Sequence, residues 1–130
     1  MSETNAYIFF DGNCAEAMTF YEKALGGSAR VVKASDTPGG SGDAIMHARL
    51  ELSGGGVLMA SDWMDDAHPF PGKHGFRVFV GYPDFDQAKQ AFEALAEGGS
   101  MELPFQKTFW SEGFGMATDR FGTPWMVQKE

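Results

Sequence analysis

The sequence has little of several features that would indicate common functional classes. Its 130 residues contain one cysteine, Cys14, so no disulfide can form within the chain and a reduced, cytoplasmic setting is expected. No apolar run approaches the roughly 18 residues of a membrane-spanning helix, and residues 1–5 lack the basic and apolar regions of a secretory signal. Only 10 Lys and Arg residues stand against 18 Asp and Glu, and the net charge of −8 disfavours nucleic-acid partners.

Several motifs of catalytic sites are also missing. The chain contains no Gly-x-Ser-x-Gly, no His-Glu-x-x-His, no phosphate-binding loop and no paired-cysteine zinc pattern. Aromatic residues are abundant instead, with 12 Phe, 3 Trp and 3 Tyr beside 8 Met. Such side chains either fill an irregular core or line an apolar pocket that adapts to a ligand, and both alternatives stand at this point.

The order of the predicted elements repeats along the chain. In a first module at about residues 1–62, a helix begins after Asn13 and ends at Gly26-Gly27. The capping-box spacing from Asn13 to Glu16 favours this start. Strands of this module are predicted at residues 7–10, 29–32, 44–52 and 57–61. The module therefore has the order βαβββ.

A linker rich in Asp, Pro and Gly follows at about residues 63–74, and the same order then restarts. In this second module, at about residues 75–130, Asp84 or Asp86 caps a helix that ends at Gly98-Gly99. Strands are predicted at residues 76–80, 100–103, 114–118 and 124–128. The prediction is a single α+β domain, residues 1–130, that consists of two βαβββ modules.

Two longer segments and one short strand resemble one known family. The opening Tyr7-Ile8-Phe9-Phe10-Asp11-Gly12-Asn13-Cys14-x-Glu16-Ala17-x-x-Phe20-Tyr21-x-x-x-Leu25-Gly26 is similar to that of the vicinal oxygen chelate superfamily of glyoxalase I, bleomycin resistance proteins and extradiol dioxygenases. The segment Phe109-Trp110-x-x-x-Phe114-Gly115-x-x-x-Asp119-x-Phe121-Gly122-x-x-Trp125 resembles the signature of its PhnB-like family, and Met46-His47-Ala48 resembles the third strand. Such proteins often carry the name of 3-demethylubiquinone methyltransferase, but without a glycine-rich nucleotide loop we do not predict that activity.

The resemblance implies two curved mixed sheets around a concave cavity and, in the superfamily's enzymes, a divalent metal held by His, Glu or Gln of the first and fourth strands. It also implies a homodimer. Alignment without gaps puts the ligand positions at Ala6, Met59, Phe76 (or Arg77 after a one-residue slip) and Met126. None of these side chains suits a hard or borderline metal, so we expect neither metal nor cofactor.

An apolar cavity is expected in place of the metal. Strand parity predicts that Ile8, Phe10, Met59, Phe76 and Met126 face it, either lining it for a ligand or filling it. Polar and aromatic candidates remain open between a ligand-binding and a structural role, namely His47 on the third strand, Trp110 in the loop before the seventh strand, and Arg77.

Other chemically active residues are interpreted as structural. Cys14 is expected to be packed and inert, Asp62 to cap a turn, Asp119 to form the last hairpin turn, and His68 and His74 to lie solvated in the linker. Along the third strand, His47, Arg49 and Glu51 are expected on one face, with Met46, Ala48, Leu50 and Leu52 against the helix.

Three functional hypotheses follow from the sequence. The first is a metal-free protein that binds or sequesters a small, partly apolar molecule. The second is a metal-dependent lyase or dioxygenase-type enzyme, and the third is an interaction protein with a filled cavity. Whether the chain is an enzyme stays open, and fold-level analogy does not name a ligand.

Overall fold

A computed structural model describes residues 2–130, which divide into two compact units between Pro71 and Gly72. In the first unit, a π-helical turn at Glu22–Gly26 extends the helix, and a 3₁₀ turn at Ala34–Asp36 follows the second strand. Its other elements are β1 (Ala6–Phe10), α1 (Cys14–Tyr21), β2 (Gly27–Lys33), β3 (Ile45–Leu52) and β4 (Val57–Asp62).

The second unit repeats this order with a longer helix. Its elements are β5 (Val78–Tyr82), α2 (Phe85–Ala96), β6 (Ser100–Gln106), β7 (Phe114–Thr118) and β8 (Pro124–Lys129). The predicted pair of βαβββ modules is thus confirmed. The main differences in bounds are that β5 begins two residues later than predicted and that β6 runs three residues further.

Each unit contains one four-stranded mixed sheet of the same topology. The strand order is β1-β4-β3-β2 in the first sheet and β5-β8-β7-β6 in the second. The first and last strands of each unit are parallel neighbours, and the other pairs are antiparallel. Among residues 2–130, no helix is both long and apolar enough to span a membrane.

A pair of glycines makes the same connection from helix to strand in both units. Gly26 and Gly98 have φ angles of +78° and +79°, a backbone conformation that side chains with a Cβ rarely adopt. The following residues, Gly27 and Gly99, lie so close to the backbone of the neighbouring strand that a Cβ on either would overlap a carbonyl oxygen. Both glycines of each pair are therefore needed. The first permits the positive φ angle, and the second permits the close approach to the neighbouring backbone.

The two helices are capped differently at their N-termini. Asp84 accepts a hydrogen bond from the Gln87 backbone N–H at 3.0 Å, as the sequence predicts. Asn13 occupies the corresponding position of α1 but makes no side-chain cap. A carboxylate from the end of β4 serves instead, because Asp62 accepts from the Cys14 N–H at 2.9 Å and from the Ile45 N–H at 2.8 Å.

The face of each sheet that the helix covers forms the core. In the first unit, Phe10 is completely buried, and its ring centroid lies 6.2 Å from that of Tyr21 on α1. In the second, Trp125 is completely buried and donates its indole N–H to Asp119 at 2.8 Å. Asp119 also accepts from the N–H groups of Phe121 and Thr123, so the last hairpin turn is tied to the core.

Removal of the Asp62 carboxylate is expected to destabilise the protein. Asp62 is 6% exposed, and Asp62→Ala leaves the Cys14 and Ile45 N–H groups without their acceptor. We expect a loss of about 2–3 kcal/mol in the free energy of unfolding, measured by urea titration followed by circular dichroism. Asp11→Ala, at an exposed turn position, is the matched control. Equal stability of the two variants would contradict this account of the cap.

Candidate functional site

The face of each sheet that no helix of its own unit covers, here called the open face, contains the candidate site. In the first sheet, Tyr7 of β1 lies opposite Met59 of β4, which lies opposite Arg49 of β3. Residues paired across strands share a face, so these three point away from α1 together with Phe9. Tyr7 and Phe9 remain 43% and 42% exposed, unusually high for aromatic side chains on a sheet.

These aromatic side chains form a continuous series of ring contacts. The Phe9 ring lies 5.2 Å from Tyr7 and 5.3 Å, edge to face, from Trp63. The Tyr7 ring lies 6.0 Å from the imidazole of His47, and Trp63 lies 6.1 Å from Phe70. We call this set the aromatic row: His47, Tyr7, Phe9, Trp63 and Phe70. It provides a large ring-lined surface at one face of a single sheet.

His47 stands at one end of the aromatic row. Its imidazole has no hydrogen bond or ion pair within the part of the chain that the structure describes, so both ring nitrogens can meet a ligand. The predicted alternation along β3 is correct for His47 but wrong for Met46, which is 41% exposed. The β2–β3 register shifts between Val32 and Lys33, so Ile45 takes the buried position instead.

The second sheet has an equivalent open face. Met126 of β8 pairs with Phe79 on one side and with Met116 on the other, just as Met59 pairs with Tyr7. Phe79 is 49% exposed. Each unit therefore places an aromatic ring of its first strand opposite a methionine of its last strand. Methionine and aromatic side chains on one face form adaptable apolar surfaces.

Trp110 lies beside this second face. Its ring is 52% exposed, lies 5.2 Å from that of Phe114, and donates its indole N–H to Gln128 Oε1 at 3.1 Å. The loop is fixed by Ser111, whose Oγ lies 2.7 Å from the Lys129 carbonyl oxygen and 2.9 Å from that of Gly113 and donates its single proton between them. Of the two predicted alternatives for Trp110, the structure places it over the open face rather than under the loop.

The first-strand positions assigned from the sequence are wrong in register. Ala6 pairs with Leu58, and the side chains of Ile8 and Phe10 point towards α1, where they are 4% and 0% exposed. Phe10 therefore cannot contact a ligand on the open face, where Tyr7 and Phe9 lie instead.

Phe76 and Arg77 were also misplaced by the sequence reasoning. Both precede β5, which begins at Val78, and Phe79 is the residue opposite Met126. Phe76 is 48% exposed outside the sheet. Arg77 is neither a free cation nor a simple edge charge, because its Nη1 lies 3.0 Å from Glu102 Oε1 and donates to the Trp125 carbonyl oxygen at 3.1 Å.

Glu102 is the centre of a cluster that also contains Arg77, Ser100 and Thr118. It accepts hydrogen bonds from Ser100, Thr118 and Arg77 at 2.9–3.0 Å. Desolvation raises the pKa of Glu102, but the three hydrogen bonds and the Arg77 charge outweigh it and hold the pKa below its usual range. The cluster satisfies its own charges, so Arg77 is not available to an anionic ligand without loss of these contacts.

The remaining candidates have structural roles. Cys14 is buried at the start of α1. His68 accepts the Trp63 indole N–H on its carbonyl oxygen at 2.9 Å, and its ring nitrogen Nδ1 lies 2.8 Å from Asp65 Oδ2. The segment after β4 is thus folded back by defined contacts. Sequence reasoning placed Trp63 and Phe70 near or within a linker, where strand parity gives no signal.

Comparison with known proteins is consistent with this geometry. The model of the "Glyoxalase/Bleomycin resistance protein/Dioxygenase superfamily" matches residues 4–127. The chain belongs to this superfamily. The curated protein YjdN of Escherichia coli K12 is 32% identical, over 93% of this chain and 90% of its own length. Membership in the superfamily, predicted from the two segments, is confirmed.

Two solved structures have the same fold. Protein PA1353 from Pseudomonas aeruginosa is 41% identical, with a TM-score of 0.89 over 98% of this chain and 97% of that one. The PhnB protein from Bacillus cereus has a TM-score of 0.78 at 22% identity, over 98% of both chains. At this identity the likeness to the PhnB protein shows the fold alone.

The metal that the superfamily resemblance implies does not fit these residues. The positions where first and last strands meet on the open faces carry two aromatic–methionine pairs, Tyr7 with Met59 and Phe79 with Met126. Thioethers and a phenyl ring do not bind hard or borderline divalent ions, and the Tyr7 phenol is not among the His, Glu or Gln ligands that the resemblance implies. Across residues 2–130, no group of three or more His, Cys, Asp or Glu side chains is placed to hold a metal ion.

The Glu102 cluster predicts a pH dependence of stability. Because folding lowers the pKa of Glu102, its contribution is complete above about pH 5 and is lost as the pH falls through the lowered value. Glu102→Gln should therefore lower the free energy of unfolding at pH 7 by about 0.5–1 kcal/mol. The deficit should shrink at pH 3, as measured by urea titration at both pH values. Glu93→Gln on the exposed face of α2 is the control, and a deficit that is constant with pH would contradict the assignment.

Proposed function

We propose that this chain is a metal-free protein that uses the open face of its first unit to bind a small, partly apolar molecule with a planar ring. The observation that carries the proposal is the aromatic row, in which Tyr7 and Phe9 stay more than 40% exposed while contacting further rings. An exposed ring-lined surface of this kind is typical of a recognition site. Met59 beneath it supplies an adaptable apolar contact.

The charges around this face favour an uncharged or weakly polar ligand. Arg49 is held by carboxylates, with Glu3 Oε1 at 3.5 Å and Glu51 Oε1 at 3.6 Å. The net charge of −8 also disfavours polyanions. His47 is the polar group at the end of the aromatic row that is not engaged, and it supplies one hydrogen bond for orientation.

The proposal includes a homodimer in the cytoplasm. The dimer rests on the family resemblance, and the compartment on the single buried cysteine, Cys14. A metal-dependent reaction is not proposed, because the residues at the implied ligand positions do not suit a metal.

The aromatic row can be tested with the neutral fluorescent probe N-phenyl-1-naphthylamine. We expect saturable enhancement of probe fluorescence by the wild-type protein. Met59→Glu and Phe9→Ser should each raise the dissociation constant at least tenfold, because the first introduces a charge into the apolar surface and the second removes a ring. Thermal melting should stay within a few degrees of wild type in both variants.

The control for this experiment is Val31→Ser on the edge strand β2, since Val31 is 40% exposed and pairs with Ala48 on the helix-covered face of the sheet. It should bind the probe as wild type does. No saturable binding by the wild-type protein, or equal affinity in all variants, would contradict the proposal and favour an interaction protein without a ligand site.

A further inference from the structure

The second unit has a feature that the aromatic row lacks, an amide group whose orientation is fixed at the open face. Gln128 of β8 follows Met126 by two residues and therefore shares its face, beside Phe79 and Met116. Trp125 and Val127, which alternate with them, are completely buried on the helix side. Gln128 thus places a polar group at the margin of an apolar floor.

The contact with Trp110 decides which way this amide points. An indole N–H can only donate, so the Gln128 atom 3.1 Å from it must be the carbonyl oxygen. The assignment does not depend on distinguishing oxygen from nitrogen, because the opposite orientation would bring two donors together. The amide nitrogen Nε2 is consequently directed away from Trp110 with its two N–H donors.

These donors are free to meet a ligand. Within residues 2–130, Gln128 Nε2 has no protein acceptor, and no buried side-chain N or O atom lacks a partner, so Nε2 must be accessible. Trp110 is itself held in place by the loop contacts of Ser111 and by the Phe114 ring. The donor is therefore preorganised, which reduces the entropic cost of a hydrogen bond to it.

We propose that the open face of the second unit is a ligand subsite in which Gln128 Nε2 donates to a carbonyl-type oxygen of an apolar ligand. In this subsite Trp110 is a positioning residue that fixes the Gln128 amide. The floor formed by Phe79, Met116 and Met126 takes the apolar part of the ligand. The inference rests on the proposed function and adds the polar group that the ligand must carry.

Two neutral probes separate the hydrogen bond from apolar contact. The probe 6-propionyl-2-(dimethylamino)naphthalene carries a carbonyl group, whereas N-phenyl-1-naphthylamine does not. Gln128→Glu keeps an acceptor for the Trp110 N–H but removes both amide donors. We expect this variant to bind the carbonyl probe five- to tenfold more weakly than wild type and the carbonyl-free probe within twofold of wild type. The carbonyl probe bound to Gln128→Glu should also emit at a shorter wavelength than when it is bound to wild type, since its carbonyl oxygen loses a hydrogen bond.

Trp110→Phe tests the positioning role separately. This variant keeps a ring over Phe114 but cannot hold the Gln128 carbonyl oxygen, so the amide can rotate. The preference for the carbonyl probe should therefore fall, by a smaller factor than in Gln128→Glu. Gln90→Glu, the same chemical change on an exposed residue of α2, should match wild type with both probes.

The outcomes distinguish the two proposals. Binding of both probes with no selective loss in Gln128→Glu overturns the subsite but leaves the aromatic row as the binding surface. Failure of the wild-type protein to bind either probe overturns both. An equal loss for both probes in Gln128→Glu would show a general disturbance of the face and also contradict the specific hydrogen bond.

Discussion

The parallel pairing of the first and last strands within each unit determines what chemistry the open faces can offer. It sets Tyr7 against Met59 and Phe79 against Met126, and the same register directs Phe10 and Trp125 into the core. A shift of one residue would exchange the two sets, because side chains alternate along a strand. In the first unit this register is supported where β4 ends. The Asp62 carboxylate joins α1 to β3, and the backbone N–H of Trp63 donates to the Phe10 carbonyl oxygen at 2.7 Å.

Each unit therefore has an apolar open face rich in rings and thioethers. The charged groups that are fixed by the fold make their contacts with other protein groups. Glu102 and Arg77 satisfy one another, and Asp119 and Asp62 bind backbone or indole N–H groups. The polar groups that the proposals direct at a ligand are His47 in the first unit and the Gln128 amide in the second. In these proposals rings and thioethers supply contact area and the polar groups supply orientation, which is the usual division of labour in small-molecule sites.

The elements and their repeat could be predicted because hydrophobic periodicity, Asp84 and the two glycine pairs are local signals. The site was predicted less well because the face of the sheet on which a side chain lies depends on strand register, and register is a property of paired strands. An alignment without gaps put the first ligand position at Ala6, and strand parity turned Phe10 towards the cavity, whereas Tyr7 and Phe9 lie on the open face. The late start of β5 exchanged Phe79 for Phe76. Met59 and Met126 lie on the open faces, as strand parity predicts, and the same parity places Gln128 beside Met126. The position of Trp63 and the orientation of the Gln128 amide depend on contacts that no local pattern encodes.

The central claim is that this member of the superfamily uses an apolar surface without a metal. Native mass spectrometry combined with elemental analysis tests it most directly, on protein purified without chelators and without a nickel column. We predict a homodimer without stoichiometric divalent metal that retains a copurified organic molecule or takes up the naphthalene probes. A stoichiometric divalent metal that is lost in the Met59→Ala or Met126→Ala variant would contradict the account.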